Sequence, residues 1–397
     1  MQAVNPRLKG KPVVIGAERG IATAISYEAK VYGIKRGMPM NEIKKLYPEV
    51  IVLPGDYELF SLFSKKMFSI LRRFSPTVEE YSIDEGFADL CGMRRPLHLT
   101  YEQIAQQIQS QVNQELAIPI SIGISLTKSL AKLASDFKKP MGITIVSGKN
   151  IEKFLAKIPL LEIWGIGQAT NRYLAKFNIK DALQFANLPE TVFEKGSEIK
   201  LNKPHLEIWT ELRGLSVYKV NPQAKNQYKS ISKTRTFRPA TNNPEIVWAE
   251  LINNVEEAFT KVRRYGYFVK KMVIFLKTQQ FRYFSAEINF NQKQQYPLLF
   301  RNKVKQTFVK LFKPSFFYRA TGCVLVELSE NNQEQIGLFN EESLIQPQKV
   351  KALYQALEQN RKIDFGSSLW LRNHHHAKEQ PKSKSRLPRF NIPMLEI

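Results

Sequence analysis

Two acidic residues side by side, Asp84 and Glu85, interrupt a segment that otherwise alternates like a strand from Glu80 to Leu90. Successive side chains on an ideal strand point to opposite faces, so adjacent carboxylates on one would diverge. They can converge on one cation only if the backbone turns there. Gly86 makes a tight hairpin the expectation at Ser82-Ile83-Asp84-Glu85-Gly86-Phe87. Magnesium wants hard oxygen ligands and usually takes one or two carboxylates together with substrate phosphates. Two such ions about 3.5–4 Å apart can activate a hydroxyl nucleophile and neutralise a leaving pyrophosphate. Taken alone, an Asp-Glu dipeptide is more commonly a pair of solvated acids in a surface turn.

The charge of the whole chain points to the partner. Lys and Arg number 59 against 36 Asp and Glu, a formal net charge of +23. A protein this basic usually meets a polyanion, most commonly nucleic acid; a ribosomal or membrane-surface protein is the plainer alternative. The 397 residues exceed one ordinary core, so several domains are expected, and 43% apolar residues suffice to fill them. Cys91 and Cys323 are the only cysteines, which excludes a disulfide framework or a cysteine metal site and fits a reducing, cytoplasmic setting. No apolar run reaches the roughly 18 residues of a membrane span, and Asn5-Pro6-Arg7 break up any signal segment, so no membrane partner is expected.

Periodicity divides the chain. Pro12 to Ile15 reads as a buried strand and Ser26 to Tyr32 as a short helix, with Gly33, Gly37 and Pro39 as turn residues. Apolar residues recur at helical spacing from Tyr57 to Phe74. Tyr101 to Leu116 is helical, Ile118 to Leu126 a strand, and Thr127 to Lys139 a helix stopped by Pro140. Along that last helix Lys128, Lys132, Asp136 and Lys139 share one polar stripe, which by itself is usually a solvated face. Short helices follow from Ile151 to about Lys225. Lys229 to Leu328 reads strand, helix, strand, strand, helix, strand, with eighteen Lys and Arg against six Asp and Glu, a formal +12. A polar linker, a helix near Val350 to Gln359 and a basic tail close the chain; His374, His375 and His376 in the tail read as solvated residues rather than metal ligands.

Four stretches in order turn these fragments into a pattern: Asn5 to Gly16 with Ile25 to Pro39, Phe74 to Leu90, Gly123 to Ile143, and Trp164 to Gly167. Together they resemble the Y-family translesion DNA polymerases over almost all of the first 180 residues. The resemblance implies an α+β, multidomain right hand. Its palm would be 1–16 and 76–150, its fingers 17–75, its helical thumb 151–225 with a helix-hairpin-helix, and its βαββαβ little finger 229–328. Asp84 and Glu85 would be the catalytic pair, holding two Mg2+ ions. Tyr27, Lys30 and Lys139 would contact the incoming triphosphate; the family commonly has Arg where Lys30 stands, and Lys keeps the charge without the bidentate fork. Thr127 likewise stands where the family has Asn. Trp164 before the glycines is closer to the UmuC-type branch than to the DinB-type.

Partners follow from the same resemblance: primer-template DNA, a dNTP, and RecA or accessory subunits. Gly165 and Gly167 let backbone N–H groups approach a phosphate, as in a helix-hairpin-helix. Lys233, Arg235, Arg238, Lys270, Lys271 and Arg282 would pair with DNA phosphates. Gln335-Ile336-Gly337-Leu338-Phe339 in the linker is similar to the bacterial sliding-clamp peptide, with Gln335, Leu338 and Phe339 as its contacts. Low-fidelity translesion synthesis in an SOS-type DNA-damage response is the implied function. Two alternatives stand beside it. Family members begin with a strand bearing Asp-x-Asp or Asp-x-Asn and then an aromatic pair, and only Met1 to Val4 precede Asn5 here; either the start is set too late, or the chain is a DNA- and clamp-binding remnant. The other alternative is a helix-hairpin-helix DNA-binding protein without polymerase activity.

Overall fold

A computed structural model of the protein describes residues 1–194, 196–223, 228–330 and 347–359. They fall into two compact units, the first within Met1–Ala224 and the second within Lys225–Lys378. No helix among the described residues is long and apolar enough to cross a membrane.

The first unit is assembled from short strands. β1 (Val13–Ile15) runs between β2 (Ala24–Ile25), antiparallel, and β3 (Ile51–Leu53), parallel. This strand falls in the stretch expected to begin the palm, yet its partners are strands of the fingers stretch. Helices α1 (Tyr27–Lys30) and α2 (Met40–Leu46) accompany this sheet, over a core of Val14, Ala22, Ala29, Ile34, Met40, Ile43 and Val50. α3 (Tyr57–Leu71) starts at Asp56, whose carboxylate accepts from the Leu59 N–H and so satisfies one orphan donor of the first turn.

β4 (Val78–Glu80) and β5 (Gly86–Ala88) form a hairpin; α4 (Arg94–Leu97) and α5 (Tyr101–Leu116) follow. A capping box between Thr100 and Gln103 opens α5, and Ile104, Ile108 and Val112 bury its inner face. β6 (Ile122–Ile124) pairs in parallel with β7 (Ile143–Ile145) across α6 (Lys128–Phe137). The strand expected over Ile118 to Leu126 is thus only three residues of ladder; Pro119 near its start has no N–H to donate. Among the described residues β4–β5 and β6–β7 are two separate two-stranded sheets. Gly123 lets α6 lie directly on β6: a Cβ there would stand 2.1 Å from the Ala131 carbonyl oxygen and 2.3 Å from the Ser135 nitrogen.

Short helices α7 (Ile151–Leu155), α8 (Gln168–Ala175), α9 (Ala182–Ala186) and α10 (Lys203–Leu212) then pack around Leu155, Leu160, Leu174, Phe185 and Leu212. Leu130 and Leu133 of α6 belong to the same cluster, so helix α6 has its apolar stripe in this core.

The second unit is one continuous sheet. β8 (Ser230–Thr241), β9 (Phe268–Thr278), β10 (Tyr283–Gln294) and β11 (Tyr318–Ser329) lie in the order β10-β9-β11-β8, every pair antiparallel. α11 (Pro244–Arg264) and α12 (Arg301–Leu311) complete the expected βαββαβ order. Val247, Leu251, Val255, Phe259 and Val262 recur at helical spacing along α11 and bury against Met272, Ile274, Leu276, Cys323 and Leu325 of the sheet. Burial pushes the Cys323 thiol up to about 12, so this cysteine is a small core residue, not a nucleophile. α13 (Pro347–Gln359) docks on the same unit through Tyr354, whose hydroxyl lies 3.1 and 3.0 Å from the two oxygens of the buried Glu256.

Candidate active site and nucleic-acid surface

The β4–β5 register pairs Glu80 with Gly86 and Glu79 with Phe87, leaving Tyr81 to Glu85 as the turn. Asp84 and Glu85 therefore sit in the turn itself, as the adjacent acids required. Gly86 works differently from expectation. It lies in the ladder with no left-handed φ, and its missing side chain matters because a Cβ would stand 2.3 Å from the Phe68 ring and 2.7 Å from the Glu79 carbonyl oxygen. The turn is closed by the Ser82 N–H donating to the Glu85 carbonyl at 2.8 Å, and the Ser82 hydroxyl donates to Asp84 Oδ1 at 2.8 Å. Asp84 is exposed and Glu85 partly so.

Helix α6 lines up behind the hairpin. Thr127 caps it, accepting from the Leu130 N–H. Lys132 Nζ lies 3.0 Å from Glu85 Oε1 and 2.9 Å from Asp136 Oδ2; Lys139 Nζ lies 2.5 Å from Asp136 Oδ1. Burial works upward on the Asp136 carboxyl, but Lys139 and Lys132 outweigh it and hold the group below its ordinary value. Burial likewise works downward on Lys132, and Asp136 with Glu85 overcomes it to raise the ammonium. Lys128 turns inward to Glu79 at 2.7 Å, with side-chain exposures of only 10% and 11%, and Glu79 also accepts from the Asn221 N–H. The polar stripe is thus a row of paired charges, nearly buried at Lys128 and exposed at Lys139. Glu79 is not legible as a site residue in the sequence, because a Glu in mid-strand beside Glu80 carries no mark of its partner.

A second group of residues stands on α1. Ser26 caps it by accepting from the Ala29 N–H, and Lys30 Nζ rests 4.5 Å from the centroid of the Tyr27 ring. The structure joins Glu85, Lys132, Asp136 and Lys139 in one chain of contacts and Tyr27 with Lys30 in another. Trp164 packs edge-on against Tyr81 at 5.1 Å and near Phe87 at 6.0 Å, bracing both sides of the acidic turn. Gly165 beside it has φ +96, a conformation glycine adopts without cost, and a Cβ would meet Ile208 at 2.6 Å. Gly167 is the N-cap of α8, exposed and open around its Cα.

In the second unit the predicted basic residues fall on two faces. The register places Lys233 opposite Cys323 and Arg235 opposite Thr321, on the helix-covered side. Lys233 pairs there with Glu257 of α11, and Arg235 lies 3.8 Å from Glu250 of the same helix. Lys271 is on the open side, opposite Val326 and Asn289, and pairs with Glu287 at 2.7 Å. Lys270 donates to the Asn291 carbonyl at 2.6 Å. Arg238 is exposed on β8, and Arg282 ends the β9–β10 turn, its N–H donating to the Thr278 hydroxyl. Gln335, Leu338 and Phe339, like His374 to His376, lie outside the described residues.

Asp84 and Glu85 offer the all-oxygen donor set that magnesium takes, with room at an exposed turn for water and phosphate oxygens to complete the shell. Among the described residues no three His, Cys, Asp or Glu side chains come together as a metal site.

The fold of this chain is that of a Y-family polymerase: it superposes on a chimera of the Y-family DNA polymerases Dbh and Dpo4 with a TM-score of 0.69, over 83% of this chain and 95% of the other, at 21% identity. A ternary complex of Dbh gives 0.52 over 82% and 94%, also at 21% identity. Residues 1–136 match the impB/mucB/samB family and residues 228–338 match the C-terminal domain of that family. The DNA polymerase IV of Oceanobacillus iheyensis is 29% identical over 96% of this chain and 91% of its own length. That of Listeria monocytogenes serotype 4a is 30% identical over 73% and 81%. The chain belongs to the impB/mucB/samB family, the family of the Y-family translesion DNA polymerases.

Proposed function

We propose that this protein is a DNA-directed DNA polymerase that copies damaged template. The observation that carries the reading is the contact chain Glu85, Lys132, Asp136, Lys139 behind a turn that also carries Asp84, so that two adjacent carboxylates for a cation stand beside lysines for phosphate. In this reading the hairpin with α5, α6, β6 and β7 is the palm, the β1–β3 sheet with α1 the fingers, α7 to α10 the thumb and the second unit the little finger. Asp84 and Glu85 hold magnesium, which when bound draws charge from the phosphates of a dNTP. Lys132, seated on Glu85 here, shares its charge with Asp136, so the carboxylate can be released to a metal ion without leaving the lysine unpaired. Lys139, Tyr27 and Lys30 receive the triphosphate, and Gly165 with Gly167 holds duplex phosphate. Leu338 and Phe339, adjacent large apolar residues in a polar linker, are suited to a pocket on a sliding clamp. Service in an SOS-type damage response belongs to the same reading.

Magnesium-dependent extension of a primed template, present in the protein and lost in Asp84→Ala, tests it. A second reading is a DNA- and clamp-binding protein of the same family with little polymerase activity of its own. Tight binding of primed DNA without extension supports that second reading; absence of both activities sinks the two together.

A further inference from the structure

One end of the second unit's sheet carries features that neither the hairpin chemistry nor the predicted phosphate contacts use. Phe281 and Tyr283 are each 59% exposed, and Phe317 is 48% exposed. All three belong to one end of the sheet: Phe281 is in the β9–β10 turn, Tyr283 begins β10, and the Phe317 carbonyl accepts from the Gln279 N–H of that turn at 2.8 Å. Exposed rings in such a group leave a sizeable apolar surface facing water.

Cations are interleaved with these rings. Lys277 Nζ lies 4.8 Å from the centroid of Phe281 and 4.8 Å from that of Tyr283, and the Arg319 guanidinium lies 4.5 Å from Phe281. Two irregularities of the backbone put them there. Phe281 has φ 66°, a left-handed conformation uncommon for a bulky residue. Arg319 is the extra residue of a bulge: its neighbours Tyr318 and Ala320 pair with the consecutive Thr278 and Lys277. A bulge re-aims the side chain it carries, and here it sets the guanidinium over the turn's ring. The open face beside them continues with Phe275, 5.7 Å from Tyr283, and with the small hydroxyl residues Thr234 and Thr236.

We infer that this end of the little-finger sheet is a stacking platform for unpaired bases of single-stranded DNA. Aromatic rings accept the π-face of any base, and interleaved Lys and Arg pair with the phosphates between them. Base faces inside a duplex are already stacked on their neighbours, so the platform selects a single-stranded tail over paired DNA. The inference rests on the polymerase reading above, in which the tail is the template strand still to be copied.

The test measures binding of a fluorescent duplex with and without a dT tail of about twelve nucleotides, within the span such grooves take. The intact protein is expected to bind the tailed duplex about tenfold more tightly than the blunt one. Phe281→Gly keeps a backbone conformation that glycine adopts freely, so it removes the ring without unfolding the turn. It and Tyr283→Ala should each reduce tailed binding about fivefold or more and leave blunt binding unchanged, while Tyr283→Phe, which keeps the ring, should bind as the parent does. Equal affinity of the parent for the two duplexes overturns the inference and leaves the polymerase reading standing. Retention of the tail preference by both ring-removing variants overturns it as well. A chain that binds neither duplex removes the polymerase reading together with this one.

Discussion

The second unit and the hairpin region of the first solve the same problem, holding charged side chains in fixed positions, by opposite means. The second unit has four long strands in one sheet, with α11 burying a full face, and its charges ride on a frame that stands without them. The hairpin has three-residue strands in a sheet of two, too little ladder to be stable alone. It is held instead by Lys128 on Glu79, by Lys132 on Glu85, by Trp164 against its turn and by Gly86 close to Phe68. A binding surface can be built on backbone; the hairpin is built on side chains, so Glu85, proposed above for chemistry, also holds the structure.

The largest effect should come where chemistry and structure separate. Among the described residues Asp84 accepts only within its own turn, so in the polymerase reading Asp84→Ala should cost primer extension at least about a hundredfold while primed DNA binds as before, because a metal ligand acts in the transition state rather than in docking. Parallel loss of DNA affinity in a binding titration would place Asp84 in the frame instead.

Lys128 tests the side-chain frame directly. Lys128→Ala leaves the Glu79 carboxylate nearly buried without its cation, and breaking such a pair costs about 3–5 kcal/mol. Denaturant unfolding should show the first unit melting early and the second unchanged. Lys128→Met with Glu79→Gln should recover most of the loss; a single cooperative shift of both units would erase the contrast.

Glu256 gives the second unit a pH dependence. Burial lifts its carboxyl to about 7 from 4.5, with Tyr354, Arg263 and Arg301 pulling the other way. The folded protein therefore binds more protons than the unfolded chain between these values. Its stability contribution is complete below about 4.5 and is lost as pH rises through about 7, a loss of about 3 kcal/mol. Thermal melts at pH 5 and pH 8 should differ in the parent and converge in Glu256→Gln; an unchanged gap would locate the titration elsewhere.

The smallest effects belong to the surface. Neutralising Lys270, Lys271 and Arg282 should lower the slope of log affinity against log salt by about 0.9 for every DNA phosphate that is no longer paired. Lys271 should give less than its share because Glu287 already pairs with it, and Glu287→Gln should raise DNA affinity a few-fold. A full share from Lys271 would show that the pair opens on DNA.

Local pattern determined much of this. The bounds of α5, the presence of α6 (which ends at Phe137, two residues before the expected Lys139), the order βαββαβ and the turn at the two acids all follow from spacing and the pleat, which act over a few residues. The partners of charged side chains do not follow in this way. Lys128 and Lys132 share a helical stripe, yet they meet different glutamates 49 and 47 residues away in the chain. Lys233 and Lys271 are both basic residues on strands, and only the order β10-β9-β11-β8 puts the first against α11 and the second on the open face. Arg319 reads as one more basic residue until a bulge aims it at Phe281. Periodicity fixes which way a side chain faces within its own element. What stands opposite it depends on pairing between distant segments, set by packing of the whole unit, and that only the tertiary structure decided.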